Sequence, residues 1–166
     1  MTTNFLVPAY LQELTTEATA TRKCLERIEA DQFNFKPHPS SMNMGYLCLL
    51  VAEIPRWIAI MVTEAEIDFA NFTHPEIKTT QELLAYFDDN MNNAIKALQG
   101  VSAADNEKIF SLKTNGQTIF STKMLEYIGP TINHWVHHRG QLTVYMRISG
   151  IQVPSIYGPS GDDKNF

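Results

Sequence analysis

The chain has 166 residues and a mass of 18.8 kDa, a length that suits one domain over 1–166 with a core of its own. Apolar residues make up 44% and charged residues 19%, which excludes a disordered or collagen-like chain. Lys and Arg number 13 against 18 Asp and Glu, a formal charge of −5. With no Lys/Arg cluster, so acidic a chain repels phosphate backbones, and no nucleic-acid partner is expected.

Met1–Phe5 lacks a basic segment leading into an apolar run, so no signal peptide is expected. Tyr46–Val62 is apolar but interrupted by Glu53, Pro55 and Arg56, and reads as too short and polar for a membrane span. The expectation is a soluble, cytoplasmic protein without a membrane partner. Cys24 and Cys48 form no CxxC pair and read as buried free thiols.

Four segments carry helical periodicity. In Pro8–Ala30, Leu11, Leu14, Ala18, Thr21, Leu25 and Ile28 step by three and four. Asp31–Ser41, with Pro37 and Pro39, reads as a loop. The second helix spans about Met42–Thr63, with Leu47, Leu50, Ile54, Trp57 and Met61 inward and a bend or break expected before Pro55. Thr79 and Glu82 have the spacing of a capping box, opening a third helix that stops at Gly100. Asn115-Gly116, flanked by apolar residues, predicts a small hairpin or extended excursion within Lys108–Phe120. The fourth helix spans about Ser121–Ser149 with Gly129-Pro130 inside it, and Ile151–Phe166 reads as an irregular strap that frays at its end. The fold class is all-α, a four-helix bundle with that excursion between helices 3 and 4.

Candidate chemistry sits on the fourth helix. His134 and His138 are one turn apart on one face, the spacing that lets two imidazoles share an ion. Gln141 and Tyr145 continue the stripe, with Trp135 and Leu142 at its margin, so the face reads as inward and as the lining of a pocket for a small molecule. Two uses of the pair stay open: a metal site, or a histidine that bonds a neighbouring helix. His137 projects away from the stripe, and Arg139 and Arg147 read as solvated or subunit-facing charges. Trp57, Trp135, Phe33 and Phe35 read as core or loop anchors. No GxSxG elbow, P-loop, GxGxxG or HExxH is present.

The run from Asn133 through His134, His138, Arg139, Gly140 and Gln141 to Arg147 resembles the fourth-helix signature of the DinB-like family. Val153–Ser160 and the segment from Ser41 to Pro55 are similar to that family's tail and second helix. The resemblance implies an up-down-down-up bundle, often a homodimer. It also implies a divalent metal (Zn, Ni, Fe or Mn) held by three histidines. Two of these would be His134 and His138; the third position, on the second helix, is Leu50 here. Glu53, one turn on, is the candidate replacement ligand, or else a carboxylate on the helix surface or beside the site.

Two functions follow from the resemblance. One is a metal-binding protein acting as a metal-dependent hydrolase or thiol transferase on a small molecule. The other is a non-catalytic bundle serving as a small-ligand binder or dimerisation module. Leu125, Ile132 and Val136, apolar residues left over once each helix fills one stripe, point to a homodimer packed through helices.

Overall fold

The computed structural model describes residues 5–165; Met1–Asn4, where most of the signal-peptide expectation falls, and Phe166, the last residue of the strap whose end is expected to fray, lie outside them. Four long helices form the bundle: α1 (Leu6–Leu25), α2 (Met44–Thr63), α3 (Thr80–Gln99) and α4 (Met124–Ile148). Their directions follow from paired residues. Tyr10 donates to the Leu125 carbonyl while Arg139 meets Glu17, so α1 and α4 run parallel. Asn90 bonds the Ala52 carbonyl and Tyr86 bonds Glu53. Asn93 and Lys96 then line a groove with Arg56 and Ile60, so α2 and α3 also run parallel. Arg22 pairs with Asp88 and Thr80 bonds the Ile28 carbonyl, which sets α1 antiparallel to α3. The order is up-down-down-up.

The chain is not all-α. A three-stranded sheet of β1 (Glu66–Asp68), β2 (Ile109–Thr114) and β3 (Gln117–Lys123) packs at one end of the bundle. The β2–β3 hairpin is the excursion expected from Asn115-Gly116, which take φ of 50° and 76° as a tight two-residue turn demands. β1 is the correction. It pairs parallel with β2 across more than forty residues of sequence (Ile67 with Leu112), and three residues carry too little pattern to show it.

Caps set the helix limits. Glu82 N–H donates to Thr79 Oγ1 at 3.1 Å and Thr79 N–H to Glu82 Oε2 at 3.2 Å, so the capping box is made. Asn43 Oδ1 caps α2 by accepting from Tyr46 N–H at 2.7 Å. Gly150, with φ of 80°, ends α4 while Ile151 N–H reaches back to the Met146 carbonyl at 2.8 Å. α1 ends at Leu25, short of the expected Ala30, and α4 begins at Met124, because β3 takes the residues before it.

α2 does not break at Pro55. Proline leaves the carbonyl four residues back without its helical donor, and Trp135 Nε1–H supplies one, meeting the Val51 carbonyl at 2.8 Å. By length and composition α2 is one helix that could cross a membrane, but half of that stretch is buried inside the bundle.

The core takes Leu14, Leu25 and Ile28 from α1 and its end, Leu47, Ile54 and Ile58 from α2, Phe87 and Leu98 from α3, and Trp135 and Leu142 from α4. Leu125 and Ile132 belong to it too, at 4% and 0% exposure, so they are not left over for a partner. Cys24 and Cys48 are buried free thiols, and burial pushes Cys24 up to about 11 and Cys48 further.

The Pro55–Trp135 arrangement predicts a coupling. Trp135→Phe strands the Val51 carbonyl and should cost about 1–3 kcal/mol in urea denaturation. Pro55→Ala restores the intrahelical donor, so the same Trp135 substitution should cost less in that background. Equal losses in both would show that the bond is not what compensates the proline.

Candidate functional site

The inward direction of α4 is set by Trp135, Arg139, Leu142 and Met146, all buried. At roughly 100° per residue the His134–His138–Gln141–Tyr145 stripe lies about 100° round from it. The stripe therefore stands at the bundle's margin, not inward: His134 is exposed, while His138, Gln141 and Tyr145 are half-buried. Arg139 corrects a second expectation. It is 2% exposed, ion-paired to Glu17 and bonded to the Tyr157 hydroxyl at 2.7 Å. Arg147 does stay at the surface, paired with Asp162.

The two histidines are brought together. Their Nε2 atoms are 2.7 Å apart, and His138 Nδ1 lies 2.8 Å from Gln141 Oε1. An amide oxygen only accepts, so His138 donates from Nδ1 and its Nε2 is an acceptor. His134 then donates from Nε2, and its Nδ1 keeps a free lone pair. His137 stacks edge-on to His138 at 5.2 Å but is not part of this chain of bonds.

α2 crosses this face antiparallel to α4. Thr131 reaches Met61, His134 lies tilted against Trp57 with ring centroids 5.6 Å apart, Trp135 bonds Val51, and Tyr145 bonds the Met42 carbonyl. Leu50 lies between Trp57 and Met42 along this register, at the level of the His138–Gln141 turn. It is half-buried against the core.

Glu53 does not join the histidine pair. It is fully buried, which removes the helix-surface reading, and its oxygens are taken. His74 Nδ1 lies 2.8 Å from Oε2, Tyr86 donates to Oε1 at 2.7 Å, and Arg56 stands at 3.7 Å. A buried carboxylate needs such partners. Among the described residues no group of three His, Cys, Asp or Glu side chains could hold a metal ion. The donor set fits a two-nitrogen site and does not fit a three-ligand centre, which a catalytic zinc site generally uses.

Beside His134 lies a cavity of about 250 Å³. α2 supplies Trp57 and Met61, the sheet end supplies Ile67, Phe69 and Leu112, and α4 supplies Tyr127, Pro130, Thr131 and His134. No Lys, Arg, Asp or Glu lines it. Trp57 Nε1 is buried without a hydrogen-bond partner among the described residues, a state that costs about 1–3 kcal/mol. Trp57 and the sheet wall were not legible as site features, since an aromatic at core spacing reads as packing. The signal available was Trp57 falling seven residues after Leu50, on the same helix face.

Burial, then the neighbouring His138 and His137, hold His134 below its ordinary value of 6.5. Burial also lowers His138, against the Gln141 bond that raises it. Both rings bind protons less readily folded than unfolded. Their contribution to stability is complete above the unfolded value and lost as pH falls through the folded ones. NMR titration should place both midpoints below 6.5. The melting temperature should fall between about pH 7.5 and 5, and less steeply in a His134→Ala/His138→Ala double variant.

The DinB family model matches residues 1–165. The chain is 24% identical over 155 residues to the uncharacterized protein YrdA of Bacillus subtilis, covering 93% of this chain and 89% of that one. Among solved structures, a DinB-like protein of Bacillus subtilis superposes with a TM-score of 0.69 at 17% identity, over 87% of this chain and 94% of that one. A DinB-like protein of Bacillus cereus does so at 0.67 and 22%, over 89% and 95%. A helical bundle with its histidine pair on the last helix, matched by the family model over nearly its whole length, places this chain in the DinB family.

Proposed function

We propose that this DinB-family chain binds a small molecule in the cavity beside His134, with the His134–His138 pair as the polar edge of the site. The observation that carries this reading is the juxtaposition of a charge-free cavity, a histidine with an unprotonated nitrogen, and a buried N–H without a partner. Metal-dependent hydrolysis or thiol transfer, which the resemblance implied, needs a third ligand. Leu50 has no donor atom and Glu53 is committed to His74 and Tyr86, so the residues present do not fit that chemistry. Ligand-observed NMR with a library of one-ring fragments tests the binding. Hits should compete with one another and disappear in Leu112→Trp, which fills the cavity from the sheet side. Hits that persist in that variant would place binding elsewhere.

A second reading has its own support. His138 is oriented through Nδ1 by Gln141 with Nε2 directed at His134, the outer bond that metal-ligating histidines commonly make. A divalent ion, Zn, Ni, Fe or Mn, would be held by His134 and His138 alone, displacing the proton they share. Leu50→His tests this and the register together. Without metal it should cost about 1–2 kcal/mol, through lost apolar burial and an added polar group. Added zinc should recover part of the loss, since an ion binding only the folded chain stabilises it, and His138→Ala should cancel the recovery. A parent chain whose melting temperature ignores both zinc and chelator would remove the two-nitrogen metal reading.

The homodimer is part of the proposal; of the residues first read, Leu125 and Ile132 are buried, while Val136 is half-buried one turn before Gly140. Val144 and Ile148 are 55% and 58% exposed on α4 and share one wedge of it with Gly140, whose missing side chain faces open space. Sedimentation equilibrium at micromolar concentration should give twice the 18.8 kDa chain mass; the single mass would refute the dimer.

A further inference from the structure

The chemistry of the cavity walls narrows the ligand, on the reading that the space beside His134 is a ligand site. With no charged side chain lining it, a carboxylate or an ammonium entering it would lose its hydration without gaining a counter-charge. The wall is instead built of Trp57, Phe69, Leu112 and Tyr127 with aliphatic neighbours, which suits a flat or branched apolar body. Its volume of about 250 Å³ exceeds the roughly 150 Å³ in which an apolar cavity accepts a benzene ring, leaving room for one ring and a substituent.

His134 Nδ1 and Trp57 Nε1, on two residues that line the cavity, carry no hydrogen bond among the described residues, and they are complementary. His134 has Nε2 engaged with His138, so the atom it can offer a ligand is Nδ1, an acceptor. Trp57 can offer only Nε1–H, a donor, and that atom has no partner among the described residues. The two rings lie 5.6 Å apart, centroid to centroid. A single hydroxyl satisfies both, donating its hydrogen to His134 Nδ1 and accepting from Trp57 Nε1. A carboxylate could accept but not donate, and an ammonium could donate but not accept.

We propose that the cavity between α2, α4 and the sheet is a binding site for a small uncharged hydroxyl compound, a phenol or a comparably sized alcohol, whose oxygen bridges Trp57 and His134. Neither the histidine pair nor the family match requires this.

The test measures the affinities of phenol, toluene, benzoate and benzylamine by calorimetry and ligand-observed NMR. The full chain, Trp57→Phe and Leu112→Trp are compared at neutral pH. Trp57→Phe keeps an aromatic ring and removes an unpaired donor, which offsets part of the packing it loses. The expected result is that phenol binds the parent more tightly than toluene by roughly three- to tenfold, the size of one net hydrogen bond. Benzoate and benzylamine should bind weakest, Trp57→Phe should reduce the phenol preference, and Leu112→Trp should abolish binding of all four. A phenol preference unchanged in Trp57→Phe overturns the bridging oxygen. Tighter binding of benzoate or benzylamine, lost in Leu112→Trp, overturns the uncharged ligand while leaving the cavity a ligand site. No binding of any probe overturns both this proposal and the reading it rests on.

Discussion

The rotation of α4 rests on one buried ion pair. Arg139 and Glu17, 2% and 7% exposed, sit where two apolar side chains would be simpler. Removing two charges from water costs several kcal/mol for each ion unless the remaining donors and acceptors are met. Here they are met. Arg139 pairs with the Glu17 carboxylate, donates to the Glu17 carbonyl and reaches Tyr157 at 2.7 Å, while Tyr157 donates to Glu17 at 2.9 Å. A guanidinium so held fixes its helix face inward. The neighbouring residue, His138, is then turned about 100° away, and His134 follows one turn below. The histidine pair faces the margin because the arginine beside it faces the core.

The same pair holds the C-terminal strap. Tyr157 anchors it at one point, while Arg147 with Asp162 and Arg27 with Asp163 hold it at the surface. Asp162 and Asp163 also accept the Val153 and Ser155 N–H groups, giving the irregular backbone the partners that a helix or sheet would otherwise provide. Those bonds, with the paired arginines, hold both carboxyls below their ordinary value. The strap is therefore an extension of the α1–α4 seam.

Much of this was legible in the sequence where local chemistry decides. Thr79 with Glu82, Gly100 and Gly150 mark helix ends because caps act within one turn, and Asn115-Gly116 mark the hairpin because few residues tolerate both φ values. Long-range choices were not legible. β1 exists only through its pairing with β2, and Leu125 and Ile132 look spare until a neighbouring helix covers them. Arg139 and Glu17 are the instructive cases. Leu14–Glu17–Thr21 and Trp135–Arg139–Leu142 keep the inward spacing of three and four, so spacing alone would put both charges inside. Charge suggested surface, and an arginine buried with a matching partner is the case in which spacing is the better guide.

The polar residues of α2 complete the account of why the candidate site is apolar. Glu53 lies about 60° round the helix from Leu50, and its carboxylate is spent on Tyr86 of α3 and on His74, which ties the connection after β1 onto α2. Ala52 gives its carbonyl to Asn90 of α3 at 3.0 Å. Arg56 leans over Phe72 at 4.6 Å and bonds the Thr73 carbonyl. Every one of these contacts faces α3 or that connection. What α2 turns toward the histidine stripe is Leu50, Trp57 and Met61, with Trp57 Nε1 the polar atom left over. In a chain with histidine at position 50 the same face would carry a third imidazole to the level of His138. Here leucine, half-buried against the core, carries no donor atom there. On the proposed reading leucine at position 50 extends that apolar face, and selectivity rests on His134 and the indole N–H.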